Sequence, residues 1–214
     1  MIREAVVARG TLARHEILPP ERCPRADLAR VHTDAYLDAM EQGTLSAPEQ
    51  RRLGFPWSAG LLERSTRTVQ ATVEAARDAL RDGAGATLAG GTHHAFPDYG
   101  EGFCCFNDVA VATRSLRTSH PASLAGARDK LRVVVIDLDV HQGNGTAAIF
   151  AGDPGTYTFS MHGAKNFPFK KERSSRDVEL DDGTGDAEYL ALLDRHLDEV
   201  LDVARADLAF YLAG

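Results

Sequence analysis

Arg132-Val133-Val134-Val135-Ile136-Asp137-Leu138-Asp139-Val140-His141 is the stretch on which the architecture turns. Its β-branched run predicts a strand from Arg132 to Asp137. Asp139 and His141 then alternate at an extended end, and a period of two puts both side chains on one side of the chain. A carboxylate oxygen beside an imidazole nitrogen suits Zn2+, with Fe2+ as a competitor. Taken alone, the pair reads better as a carboxylate capping the next helix and a histidine packed in a polar turn. Two donors are also one fewer than the three protein ligands of a catalytic zinc site.

Further strands are predicted at Ala86 to Ala89, Thr156 to Met161 and Leu208 to Leu212. Helices are predicted from Asn107 to Leu116, Thr146 to Phe150 and Asp186 to Ala206, the last with an apolar face of Tyr189, Leu190, Leu193, Leu197, Val200, Leu201 and Ala204. Upstream, Leu28 to Met40 reads as a helix, Ser46 as the N-cap of another, and Leu61 to Arg81 as a long one ending before Gly83. Strand alternating with helix predicts an α/β fold, a parallel sheet with helices on both faces, as one domain over 1–214. Gly163 to Gly185 is too long for an ordinary connection and is expected to be functional or mobile.

In parallel sheets ligands bind beyond the carboxyl ends of the strands. The polar clusters fall there: Thr92-His93-His94, Asp137 to His141, and Ser160-Met161-His162. Tandem histidines need separate partners, and Asp137 and Asn144 are the candidates. A carboxylate fixes a tautomer and adds basicity, whereas an amide fixes orientation without charge, so unequal partners push two histidine pKa values apart. Glu101 to Asp108 joins a flexible Gly to aromatic bulk and reads as a loop packing Phe103 and Phe106 into the core, or one of them there and the other at a site, with Asn107 and Asp108 able to cap a helix. Lys165, Lys170, Lys171, Arg173 and Arg176 read as a solvated rim around an apolar Asn166-Phe167-Pro168-Phe169.

The composition excludes several classes. At 43% hydrophobic and 26% charged residues the chain is neither disordered nor fibrous. A net charge of −7 argues against a nucleic-acid partner. The apolar runs are too short to cross a bilayer, and Met1 to Ala5 shows no leader core. Three cysteines make no disulfide framework, so a reducing cytoplasm is expected, with Cys104 and Cys105 as buried small hydrophobes.

Three segments, in order, resemble the histone deacetylase family of zinc hydrolases: Gly90-Gly91-Thr92-His93-His94-Ala95, Glu101-Gly102-Phe103-Cys104-Cys105-Phe106-Asn107-Asp108, and Ile136-Asp137-Leu138-Asp139-Val140-His141-Gln142-Gly143-Asn144-Gly145. Gln142 and Asn144 resemble the class IV branch and its bacterial relatives, where many other members have His and Asp. The resemblance implies an arginase/deacetylase-type fold and hydrolysis of an acyl amide on a lysine or a small amine. It implies Asp139 and His141 as metal ligands, and His93 and His94 as the histidines around the attacking water. Asp137 would orient His93 and Asn144 would orient His94. Gly102 and Phe103, with Phe167 opposite, would line an acyl-lysine channel. Asp137, Asp139, His141, Ser160 and Met161 would surround a structural K+, mostly through backbone oxygens.

By the same resemblance the third metal ligand, an Asp, and a transition-state Tyr belong to a segment after Gly214, and a further strand belongs before Met1. The fold is therefore expected to be incomplete at both ends, the whole protein active, and the 214-residue chain weak in zinc binding and nearly inactive. A ureohydrolase is disfavoured, because Gly143 stands where its bridging carboxylate would be. A non-catalytic acyl-lysine binding module or a gene fragment is the alternative from another class.

Overall fold

The computed structural model describes residues 2–119 and 131–214. The centre of its sheet is β1 (Val133–Asp137), whose branched side chains fit a pleated surface covered on both sides. It pairs in parallel with β2 (Thr156–Gly163) on one edge and β4 (Leu208–Leu212) on the other, and β2 carries β3 (Arg176–Leu180), giving the order β3-β2-β1-β4. The helices are α1 (Ile2–Ala8), α2 (Arg25–Leu28), α3 (Asp34–Gln42), α4 (Ala47–Leu53), α5 (Ala59–Asp82), α6 (Asp108–Ser119), α7 (Asn144–Ile149) and α8 (Asp186–Ala204).

The period of two along β1 assigns its side chains to two cores. Val133 and Val135 join Val69 and Val73 of α5 and Val109, Ala112 and Leu116 of α6, together with Leu208, Phe210 and Leu212 of β4. Val134 faces the other way, onto Phe159, Met161 and Val178 of the sheet and Val200 and Ala204 of α8. Helices thus cover both faces, as the alternation of elements required.

Local chemistry explains where the elements differ from expectation. The helix expected over 28–40 is broken into α2 and α3, because the Thr33 side chain accepts from Tyr36 N at 3.3 Å and starts α3 as its N-cap. Residues 86–89 form no strand. There the Thr87 hydroxyl donates to Ala89 O (2.6 Å) and accepts from Ala89 N (3.2 Å), a local turn that replaces ladder bonds in an exposed segment. The long connection over 163–185 contains β3, an edge strand in which only Val178 is buried. On α8 the apolar stripe is wider than the face that β1 and β2 cover, so Leu190 and Leu201 stay exposed. Asn107 does cap a helix: its Oδ1 accepts from Ala110 N at 3.0 Å at the start of α6.

Candidate active site

Asp137, the last residue of β1, lies in register with Leu212 on β4 and Ser160 on β2, and Ser160 with Asp177 on β3, so a row of side chains crosses the carboxyl edge of the sheet. Asp137 is buried. Its Oδ1 accepts from Asp139 N at 3.1 Å, which fixes the turn after the strand, and its Oδ2 accepts from His93 Nδ1 at 2.6 Å. Two residues on, Asp139 Oδ1 accepts from the backbone N of His141 (2.8 Å) and lies 3.0 Å from His141 Nδ1.

The histidine segment has no regular structure and is held instead by a buried carboxylate that sequence reading took only as a helix cap. Asp108 accepts from Gly91 N (3.0 Å), Thr92 N (2.8 Å), the Thr92 hydroxyl (2.8 Å) and the Thr72 hydroxyl (2.7 Å). Thr146 N of α7 donates to His93 O at 3.0 Å. Gly145 permits that approach, since a Cβ there would run into the carbonyl of Ala95.

The tandem histidines face one another with Nε2 atoms 3.1 Å apart, both rings buried. Each donates its Nδ1–H to a different acceptor: His93 to the Asp137 carboxylate, and His94 to the Asn144 amide oxygen at 2.7 Å. Two bare lone pairs at that separation would repel, so the pair holds one proton between its Nε2 atoms. Burial works against charge on His93, yet the charge and hydrogen bond of Asp137, with Asp139 and Asp108 behind, outweigh it and raise its pKa. Burial, then the charge of His93, lowers His94 to about 4, and Asn144 offsets this only in part. Of the two rings, His93 is the more basic. Behind Asn144 stands a residue given no role from sequence: Asn144 Nδ2 donates to Glu101 Oε2 at 2.8 Å.

Gly102 sits against the second histidine. It has φ +55°, and a Cβ there would lie 2.6 Å from His94 Cδ2 and 3.0 Å from the Phe167 ring. Phe167 packs edge-on against His94 at 4.9 Å and lies 6.2 Å from His141, centroid to centroid. Gly102, His94, His141 and Phe167 are thus gathered at one mouth. Phe103 turns outward, 63% exposed, its ring on Phe55 at 5.0 Å. Loop 164–168, which carries Phe167, is pinned by Lys171, whose ammonium donates to the carbonyls of Ala164 (3.2 Å), Asn166 (2.7 Å) and Pro168 (2.7 Å). Lys171, expected in a solvated rim, is an anchor. Gln142 likewise fastens the connection, donating to Glu172 O (2.7 Å) and Asp177 Oδ1 (2.9 Å).

Asp139 Oδ1 and His141 Nδ1 lie 3.0 Å apart in a direct hydrogen bond, a separation close to the ~3.3 Å edge of a tetrahedron with bonds of about 2.0 Å, so the two could also share one ion. Among the described residues no group of three His, Cys, Asp or Glu could hold a metal. The end of β4 reaches the same carboxylate, for a Cβ on Gly214 would lie 3.1 Å from Asp139 Oδ2. Of the residues expected around K+, Asp137 and Ser160 are register partners, Asp139 and His141 follow in the turn, and Met161 points into the α8 core. The Ser160 hydroxyl is 2.9 Å from His162 Nδ1.

The chain superposes on an HDAC homologue from Aquifex aeolicus with a TM-score of 0.78 at 23% identity, over 96% of this chain and 59% of that one, which fixes the fold as the arginase/deacetylase type. The model of the histone deacetylase domain matches residues 1–214, and the chain belongs to that family. It is 45% identical over 205 residues to an uncharacterised protein of Picosynechococcus sp., covering 96% of this chain and 66% of the relative. Against histone deacetylase 2 of Arabidopsis thaliana the identity is 31% over 226 residues, 98% of this chain and 54% of the relative. The chain therefore spans between about half and two thirds of the length of these curated relatives. Among the described residues no helix is long and apolar enough to cross a membrane.

Proposed function

We propose that these residues form the central part of a metal-dependent deacylase that hydrolyses the acyl amide of an acylated lysine or acylated small amine. The observation that carries the reading is the unequal support of two facing histidines, one on a carboxylate and one on an amide. Asp139 and His141 would hold Zn2+, with Fe2+ the competitor, together with a donor from outside these 214 residues. Bound there, the ion would supply Lewis acidity toward the acyl carbonyl and the attacking water.

His94 is the proton carrier, because it is the unprotonated member of the pair and the one that touches Gly102 and Phe167 at the mouth. Once the His93 Nε2–H turns from it toward the acyl oxygen, His94 Nε2 takes the proton as water adds to the acyl carbon, and returns it to the nitrogen as the C–N bond breaks. His93 keeps its proton on Nε2 under the charge of Asp137 and stabilises negative charge developing on the acyl group. Gly102 and Phe167 line the entry for an acyl-lysine chain, and Phe103 would join them by turning in from its place on Phe55. A structural K+ beside Asp137, Asp139, His141, Ser160 and Met161 belongs to the same reading. Three free, buried cysteines support a reducing cytoplasm, and the charge of −7 a substrate other than nucleic acid.

The test uses the full-length protein with acetyl-lysine peptides and N-acetylated polyamines. Acetate release is expected, abolished by a chelator, restored by Zn2+, and at least 100-fold lower in H94A, while residues 1–214 alone turn over almost nothing. Binding of the acylated peptide without hydrolysis would overturn the enzyme reading in favour of a non-catalytic acyl-lysine module. Turnover of guanidino substrates with Mn2+ would replace it with a ureohydrolase.

A further inference from the structure

We propose that Glu101 is a positioning residue that orients the Asn144 amide and thereby selects the tautomer of His94. The inference rests on the proposed role of His94 for its functional meaning, and on hydrogen-bond chemistry for the rest. The two ends of an asparagine amide are nearly identical in shape, and they differ only in that one accepts and the other donates. With Oδ1 toward the ring, Asn144 accepts His94 Nδ1–H and leaves Nε2 with its lone pair facing His93. Turned over, the same amide would present its NH2 to Nδ1, drive the ring proton to Nε2 and remove the lone pair that the site uses. Nothing in Asn144 itself chooses between the two.

The His93 Nε2–H favours a bare Nε2 on His94 from one side, and Glu101 sets the amide to match it from the other. An ionised carboxylate only accepts, so the group 2.8 Å from Glu101 Oε2 must be the amide NH2, and Oδ1 is left for the histidine. The carboxylate is held in place by its own backbone, where Glu101 N donates to Cys104 O (3.2 Å) and Cys104 N to Glu101 O (2.8 Å). The next residue, Gly102, is tied through its N–H to Arg52 O at 3.3 Å and lies against His94. Glu101 therefore does, through the amide, what an aspartate at position 144 would do directly, and it does so without placing a full negative charge against His94. Unequal support for the two histidines is preserved while the tautomer is still specified.

The reporter is the long-range 1H–15N correlation spectrum of the histidine-labelled protein at neutral pH, with His94 assigned from H94Q. The wild type is expected to show His94 protonated on Nδ1 and bare on Nε2. E101A is expected to move at least half of the population to Nε2–H, and the His93 Nε2 signal to shift with it, because the two Nε2 atoms cannot both carry a proton at 3.1 Å. E101Q, whose amide can accept or donate, is expected to lie in between. E101A/N144D should return the wild-type tautomer, because an aspartate at 144 needs no orienter. The kcat for acetyl-lysine peptide should follow the tautomer, about 10-fold down in E101A and recovered in the double variant, with KM within twofold. A wild-type tautomer in E101A, or a double variant that fails to restore it, overturns the proposal. If E101A does not fold, E101Q and the double variant decide by the same spectra. The tautomer is read without turnover, so an inactive protein with the expected spectra would sink the deacylase reading and leave Glu101 its role.

Discussion

The two sides of the site are built by different means. Asp137, Asp139 and His141 hang from the end of a central strand, and their bonds to one another span only two residues. His93 and His94 sit on irregular chain that no ladder supports, so the holding is done by buried polar side chains borrowed from elsewhere. Asp108 at the start of α6 gathers donors from Gly91, Thr92 and, on α5, Thr72. Asn107 donates to Ala95 O at 3.3 Å and to the Thr146 hydroxyl at 3.0 Å. His32, between α2 and α3, is buried with its Nδ1–H on Phe96 O (3.1 Å) and its Nε2 accepting from Asn107 N (3.1 Å). A sheet edge holds functional groups through the pairing of its backbone, whereas a loop needs a buried polar network, which is costly once any member is missing.

The largest expected effect breaks that contrast directly. D108A removes the acceptor of the part-buried donors of Gly91 and Thr92 and leaves the buried Thr72 hydroxyl only the longer contact to Thr68 O at 3.4 Å, and each donor left unmade costs up to about 1–3 kcal/mol. A loss on the order of 4 kcal/mol is expected from urea unfolding. I136V on β1, which removes one methylene from the strand side, should cost about 1 kcal/mol. Similar midpoints for the two variants would mean that the loop is held by something other than Asp108.

Acid should find the same weak side next. Burial holds His32 down to about 4 from an ordinary 6.5, offset in part by the carbonyls of Phe96 and Pro97. A folded pKa below the unfolded one means that the neutral ring stabilises the fold fully above about pH 6.5 and that this is lost as pH falls toward about 4. The shift corresponds to about 3 kcal/mol at 1.36 kcal/mol per unit. Protonation would also set a second ring N–H against the N–H of Asn107. Unfolding free energy of the wild type minus that of H32Q should fall across this window. His93 and His94 titrate in both proteins and cancel, so a flat difference would remove His32 from the network.

This division also governs what could be read in the sequence. The branched run of β1 and the 3.6-residue spacing of α5 are visible because one stretch of chain carries the whole signal. His93, His94, Asp137 and Asn144 are visible because unusual residues crowd into short motifs. Glu101 and Asp108 are not, since their meaning lies in partners 43 and 16 residues away, which no periodicity records. A trace of Asp108 was present, as a charge leading the apolar Val109-Ala110-Val111-Ala112, where burial is to be expected. For β3 the Lys and Arg before it read as a solvated rim, and Val178 and Leu180 make too short an alternation to overrule that. Residues 86–89 misled in the opposite sense, because apolar composition says nothing of whether a neighbouring strand is there to pair with.

The smallest expected effect sharpens the comparison by testing a third means of support. Loop 164–168 is neither strand-borne nor held by a buried acid, and the Lys171 ammonium spends all three of its donors on its carbonyls. That ammonium is half-buried, so water can replace part of what it provides, and the fold should lose only about 1 kcal/mol in K171M, which keeps the apolar stem. Phe167 would then sit less firmly against His94 and His141, a change in how the acyl chain is gripped rather than in the proton-carrying pair. In the full-length protein KM for acetyl-lysine peptide should rise several-fold with kcat within twofold, the pattern of lost uniform binding. A fall in kcat equal to the fall in kcat/KM would instead tie this loop to the histidines, and make the mouth part of the same polar network that Asp108 anchors.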